Sequence, residues 1–140
     1  METLVLFYSF GGATAKAAKD LAKKNNFDIE EIKEIKKKNI FTAFFVGCPG
    51  AINKKASEIK ELSSDLNKYD KFILASPIWA GNPTPAFNAV VDLLPSGKTV
   101  DLIFSSGGGF DRKNLQQVVS RIEKQGCKFG KLDEIIATKK

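Results

Sequence analysis

The chain has 140 residues, a formal net charge of +6, 43% hydrophobic and 27% charged residues, two cysteines and no histidine. These proportions suit one globular domain spanning residues 1–140 and exclude a disordered or fibrous chain. Without histidine the commonest general base and metal ligand are missing, which excludes hydrolase triads and His-based metal centres.

Cys48 and Cys127 lie far apart and form no CxxC, so they read as free thiols rather than a disulfide framework or zinc site. No apolar stretch is long enough to cross a bilayer, and the first residues reach an apolar run without a basic leader, so a cytoplasmic protein is expected. The positive charge raises nucleic acid as a partner, but the lysines are dispersed. The densest run, from Ile35, follows acidic residues from Asp28, giving a mixed solvated face. No nucleic-acid or membrane partner is expected.

Thr3 to Tyr8 is a continuous apolar run of the kind found in a strand buried on both faces. Ala15 to Lys24 predicts a helix with a narrow stripe of small residues, Ala15, Ala18, Leu21 and Ala22, opposite lysines. Phe27 to Ile35 reads as a short edge strand, and the segment from Asn39 to Ile52 as a half-helical connection interrupted by Pro49 and Gly50. Ala56, Ile59, Leu62, Leu66 and Tyr69 predict an amphipathic helix ending before Asp70. Lys71 to Pro77 is a second buried-type strand, stopped by a proline that cannot donate to a ladder. Asn82–Pro83 or Thr84–Pro85 then opens a helix carrying Phe87, Val90, Val91 and Leu94, closed by Pro95 and Gly97. The stretch from Thr99 is a third buried strand, again ending in small residues, Leu115 to Ile122 a helical stripe stopped near Gly126, and the tail from Cys127 a last strand. Strands alternating with helices predict an α/β, doubly wound domain: a five-stranded parallel sheet with helices on both faces.

In such sheets ligands bind beyond the carboxyl ends of the strands, at the point where the strand order switches. With the order 2-1-3-4-5, three unusual loops converge there: Ser9 to Thr14, Ser76 to Pro83 and Ser105 to Asp111. The first sits at a helix N-terminus, where amide groups and the macrodipole attract an anion such as a terminal phosphate, with Ser9 and Thr14 adding hydroxyls. It is neither a Walker loop nor a GxGxxG fingerprint, which disfavours a nucleotide triphosphate. The second carries Trp79, the only tryptophan, suited to contact with a planar ring. The third has three successive glycines that expose backbone to a flat ligand.

These residues resemble the flavodoxin family over nearly the whole chain. The family's [ST]-x-T-G-x-T phosphate pattern is met at Ser9, Gly12 and Thr14; the chain departs from it at Gly11, where threonine is usual, and at Ala13, which lacks a side-chain amide. Pro77, Trp79, Gly81 and Pro83 match the family's Pro-x-Trp-x-Gly-x-Pro segment. The resemblance implies a flavodoxin-like fold that binds FMN non-covalently. Its phosphate would lie at Ser9, Gly11, Gly12, Ala13 and Thr14. Its ribityl chain and ring would lie at Pro77, Ile78, Trp79, Ala80, Gly81, Ser106, Gly107, Gly108 and Gly109. No side chain need act as acid or base, and no metal is implied. Flavodoxins are usually acidic, so the charge of +6 implies a different partner and a raised flavin potential.

Three functions stay open. The first is electron transfer through FMN to a redox protein or small acceptor. The second is NAD(P)H-dependent reduction of a quinone or flavin. The third is a cofactor-free interaction module, whose aromatic cluster at Phe41 to Phe45 would serve as a partner or homodimer surface. A phosphoacceptor receiver would need acids where Tyr8, Ser9, Ser76 and Pro77 stand, and a low-molecular-weight phosphatase a Cys-to-Arg loop after the first strand. Both fail on residue type.

Overall fold

A computed structural model of the protein describes residues 2–8, 12–33, 59–79, 82–106 and 112–136. Their elements, in chain order, are β1 (Thr3–Phe7), α1 (Ala13–Asn25), β2 (Asp28–Glu31), β3 (Lys71–Trp79), α2 (Pro85–Leu93), β4 (Thr99–Ser106), α3 (Arg112–Lys124) and β5 (Lys128–Ile136). A single 3-10 turn, Leu66–Lys68, precedes β3, and Asn82–Pro83 folds back antiparallel onto its end. The five strands are all parallel in the order β2-β1-β3-β4-β5, the expected 2-1-3-4-5 arrangement.

The apolar runs form central strands because both of their faces are covered. Along β1, Leu4 and Leu6 point into one core and Val5 and Phe7 into the other. The larger core gathers Phe72, Leu74, Leu102 and Phe104 under Phe87, Val90 and Val91 of α2 and Val118 and Ile122 of α3. Phe87 and Phe104 meet edge to face, 5.5 Å between ring centroids, a geometry that adds roughly 0.5–1.5 kcal/mol beyond burial. The smaller core lies under α1, where Ala18 and Ala22 let the helix approach Val5, Ile73 and Ile103. Right-handed crossovers on either side of β1 place α1 opposite α2 and α3.

The structure differs from the sequence reading at two places. The helix expected to end before Asp70 is absent over residues 59–69, apart from the 3-10 turn. Instead the Glu30 carboxylate on β2 accepts the amides of Ser63 (2.7 Å) and Ser64 (2.9 Å), and the Lys60 amide donates to the Lys33 carbonyl. Ile59, Leu62 and Leu66 still pack against the core, so their spacing marks burial rather than an α-helix. Second, β3 does not stop at Pro77 but runs to Trp79. The last β1 pair is Phe7–Ala75: without an N–H, Pro77 cannot extend the ladder on that side, while β3 goes on pairing with β4 through Pro77–Ser105. The connection from Asn39 to Ile52, the Phe41–Phe45 cluster and Cys48 lie outside the described residues; Cys127 is a buried free thiol.

Candidate functional site

The carboxyl ends of β1, β3 and β4 form one rim. Phe7 pairs with Ala75, Ala75 with Ile103 and Pro77 with Ser105, so the three strand ends lie side by side at one strand spacing, about 4.8 Å each. The chain leaves β1 at Tyr8, whose amide still donates to the Ala75 carbonyl (2.9 Å), and enters α1 through Gly12. Gly12 has φ of 100°, a left-handed conformation that glycine adopts without strain. As N-cap it has no side chain with which to close the helix end, and the first turn contains no acid. Thr14, in that first turn, is 2% exposed, and its hydroxyl has no partner among the described residues. A buried hydroxyl without a partner costs roughly 1–3 kcal/mol. This one stands at the positive end of a 13-residue helix, where an anion would be held by the dipole and first-turn amides.

The β3 end forms the second part of the rim. Ile78 pairs antiparallel with Pro83 and Trp79 with Asn82, making a hairpin at the carboxyl end of the central strand, with Pro77 and Ile78 half-buried at its base. Thr84 follows the hairpin and caps α2: its Oγ1 accepts the Phe87 amide at 3.3 Å, and Pro85 takes the first helical position. Ser106 ends β4 beside this hairpin. The rim thus joins Gly12, Ala13 and Thr14 of the first expected loop, Pro77, Ile78 and Trp79 of the second and Ser106 of the third. Ser9, Gly11, Ala80, Gly81, Gly107, Gly108 and Gly109 lie outside the described residues. None of the described rim residues carries a charge, so the arrangement suits binding by amides, hydroxyls and apolar edges rather than acid–base chemistry. Sequence reasoning missed the buried pair of Ser76 and Thr84 beneath the hairpin, whose hydroxyls lie 3.2 Å apart. The signal was present as hydroxyl residues on either side of the proline–tryptophan segment.

The strand order, with helices on both faces of the sheet, defines a flavodoxin-like fold. Residues 8–125 match the NADPH-dependent FMN reductase family, and the chain belongs to it. FMN, expected from the sequence, is the flavin that the family's description carries. Among solved structures, a flavoprotein from Lactobacillus acidophilus NCFM in complex with FMN is similar at 20% identity and TM-score 0.79, covering 95% of this chain and 92% of that one. A flavoprotein from Bacteroides eggerthii DSM 20697 is similar at 22% identity and TM-score 0.81, covering 98% and 89%. The two-electron reduced flavodoxin of Megasphaera elsdenii is similar at 15% identity and TM-score 0.60, covering 96% and 85%. These likenesses show the fold. A comparison with curated proteins finds no match.

Proposed function

We propose that the protein binds FMN non-covalently at the rim of β1, β3 and β4 and passes electrons through it. The observation that carries this reading is the 2%-exposed Thr14 in the first turn of α1, whose hydroxyl has no partner among the described residues, at the carboxyl end of β1 beside that of β3. The donor set fits the cofactor: Gly12, Ala13 and Thr14 offer amides and a hydroxyl to a phosphate, while Pro77 and Ile78 offer an apolar edge, and Trp79 and Ser106 backbone, to a planar ring. Bound FMN supplies the redox chemistry, accepting a hydride or single electrons. The chain's own residues bind and orient it, and no side chain of the described rim need take or give a proton.

Membership of the NADPH-dependent FMN reductase family favours a reductase with NADPH as donor over a carrier between proteins. The partners that follow are NADPH and a small or protein electron acceptor in the cytoplasm, without nucleic acid or membrane. Among the described residues no helix is long and apolar enough to cross a membrane. The test is a titration of apoprotein with FMN followed by anaerobic addition of NADPH. Uptake of FMN with bleaching of its visible band by NADPH supports the reductase. Bleaching by dithionite alone supports a carrier, and a protein that ignores FMN is the cofactor-free module.

A further inference from the structure

Two hydroxyls that the FMN reading leaves unused lie directly under the β3 hairpin. Ser76 and Thr84 are both fully buried, 0% exposed, at the two feet of the segment that carries Pro77, Ile78 and Trp79. The Ser76 hydroxyl donates to the Pro77 carbonyl at 2.9 Å. A serine has one proton to give, so in the 3.2 Å contact between Ser76 Oγ and Thr84 Oγ1 the threonine is the donor. Thr84 Oγ1 in turn accepts the Phe87 amide at 3.3 Å, and the Thr84 amide points at Ser76 Oγ at 3.4 Å. The result is a directional chain, Phe87 N–H to Thr84 O–H to Ser76 O–H to the Pro77 carbonyl, in which each hydroxyl both gives and accepts.

We propose that Ser76 and Thr84 are positioning residues: a buried clamp that closes the base of the 77–83 hairpin and locks it to the N-terminus of α2. The physical need is plain. Among the described residues the hairpin has two strand pairs, Ile78–Pro83 and Trp79–Asn82, and prolines at both of its feet remove amides that would otherwise tie it down. A two-stranded ribbon of that size is not stable alone. The clamp sits in the buried interior, where a satisfied polar network specifies one geometry and a half-satisfied one is costly. It couples the loop to a rigid helix, so the hairpin's position is set by the fold before any ligand arrives. The role toward the flavin rests on the FMN reading above; the role in ordering the hairpin does not.

The test uses Ser76→Ala, Thr84→Val, both together, and Thr84→Ser, which keeps the hydroxyl. Trp79 is the chain's only tryptophan, so acrylamide quenching of its emission in the apoprotein reports on the hairpin without any cofactor. Quenching should rise in Ser76→Ala and Thr84→Val, and the FMN Kd should rise about tenfold, the weight of one buried hydrogen bond. The double variant should be no worse than the more damaged single one, because the two residues act as a unit. Thr84→Ser should behave as wild type. Thr84→Val also loses the α2 cap; should it fail to fold, Ser76→Ala, which leaves the cap in place, decides. Wild-type quenching in folded Ser76→Ala protein would overturn the clamp, and a loosened hairpin with unchanged FMN affinity would overturn its role toward the flavin. A wild type that takes up no FMN would defeat the FMN reading instead, with the quenching comparison still deciding on the clamp.

Discussion

Asp101 and Gly130 share one volume between β4 and β5: the Asp101 Oδ1 lies where a side chain at position 130 would begin. Asp101 is 4% exposed, and its carboxylate pairs with the Lys71 ammonium at 2.8 Å and accepts the Lys131 amide at 3.1 Å. It does so at a bulge, where β5 advances from Phe129 to Leu132 while β4 advances from Val100 to Leu102. The extra residue turns an amide out of the ladder, and the Asp101 carboxylate receives it. Gly130→Ala should therefore destabilise the protein by about 1–3 kcal/mol, the usual cost of overpacking, read from the urea midpoint. In an Asp101→Ala background the same glycine substitution should cost close to nothing, since the clash has been removed. Additive losses in the two backgrounds would show that the shared volume is not the cause.

Tyr69 couples stability to alkaline pH. Its hydroxyl donates to Asp28 Oδ2 at 2.7 Å, tying the start of β3 to β2. That hydrogen bond, then burial and the negative charges of Asp28, Glu2 and Glu30, push its pKa up to about 12. An unfolded tyrosine ionises near about 10. The raised value means that the fold favours the protonated phenol, so its contribution is fully present below pH 10 and is lost as pH rises towards 12. Tyr69→Phe should lower stability at neutral pH by about 1 kcal/mol and flatten the alkaline decline. An unchanged decline in the variant, followed by circular dichroism against pH, would assign it to other groups.

How far the fold was legible turns on which contacts are local. The runs at Thr3 to Tyr8, at Lys71 to Pro77 and from Thr99 announced strands because burial on both faces leaves little need for polar residues. The start of α2 was narrowed to Asn82–Pro83 or Thr84–Pro85, since a cap and its proline are neighbours in sequence, and the structure takes the second. The same logic placed Gly12 and Thr14 at the rim, because a glycine corner after a buried strand opens a helix. What stayed hidden needed a partner far along the chain. Asp101 read as one residue of an apolar run until Lys71 and Lys131 supplied its counter-charge and amide. Residues 59–69 read as a helix because nothing local reveals that Glu30, more than thirty positions earlier, takes hold of Ser63 and Ser64. The Ser76–Thr84 contact exists only once the hairpin between them has closed.

Glu30 is the acid-side counterpart of Tyr69. Burial alone would raise its pKa, but the hydrogen bonds from Ser64 and Ser63 outweigh burial and hold the carboxyl below its ordinary value. A lowered folded pKa gives stability that is present above the unfolded value, near about 4.3, and lost as pH falls through the folded one. Glu30→Gln keeps the shape but weakens charge-assisted bonds to two backbone amides, so it should cost about 1–2 kcal/mol at pH 7. The difference from wild type should shrink as the pH is taken below 4, since there the wild-type carboxyl is neutral as well. A difference that stays constant down to pH 3 would place the effect in packing rather than in charge.

Thr14 offers the sharpest separation of phosphate grip from ring contact. Its side chain is 2% exposed and its hydroxyl lacks a partner among the described residues, so an FMN phosphate at the α1 terminus would complete it. Thr14→Val preserves shape and burial while deleting the hydroxyl. The FMN Kd should then rise about tenfold, one hydrogen bond to a charged group, while the Kd of riboflavin, which has no phosphate, should not change. Thr14→Ser should restore most of the loss. Flavin fluorescence titrations of the three proteins with both ligands read all of this directly. Equal weakening of FMN and riboflavin would mean that Thr14 serves the fold of the rim as a whole and that the phosphate is held elsewhere.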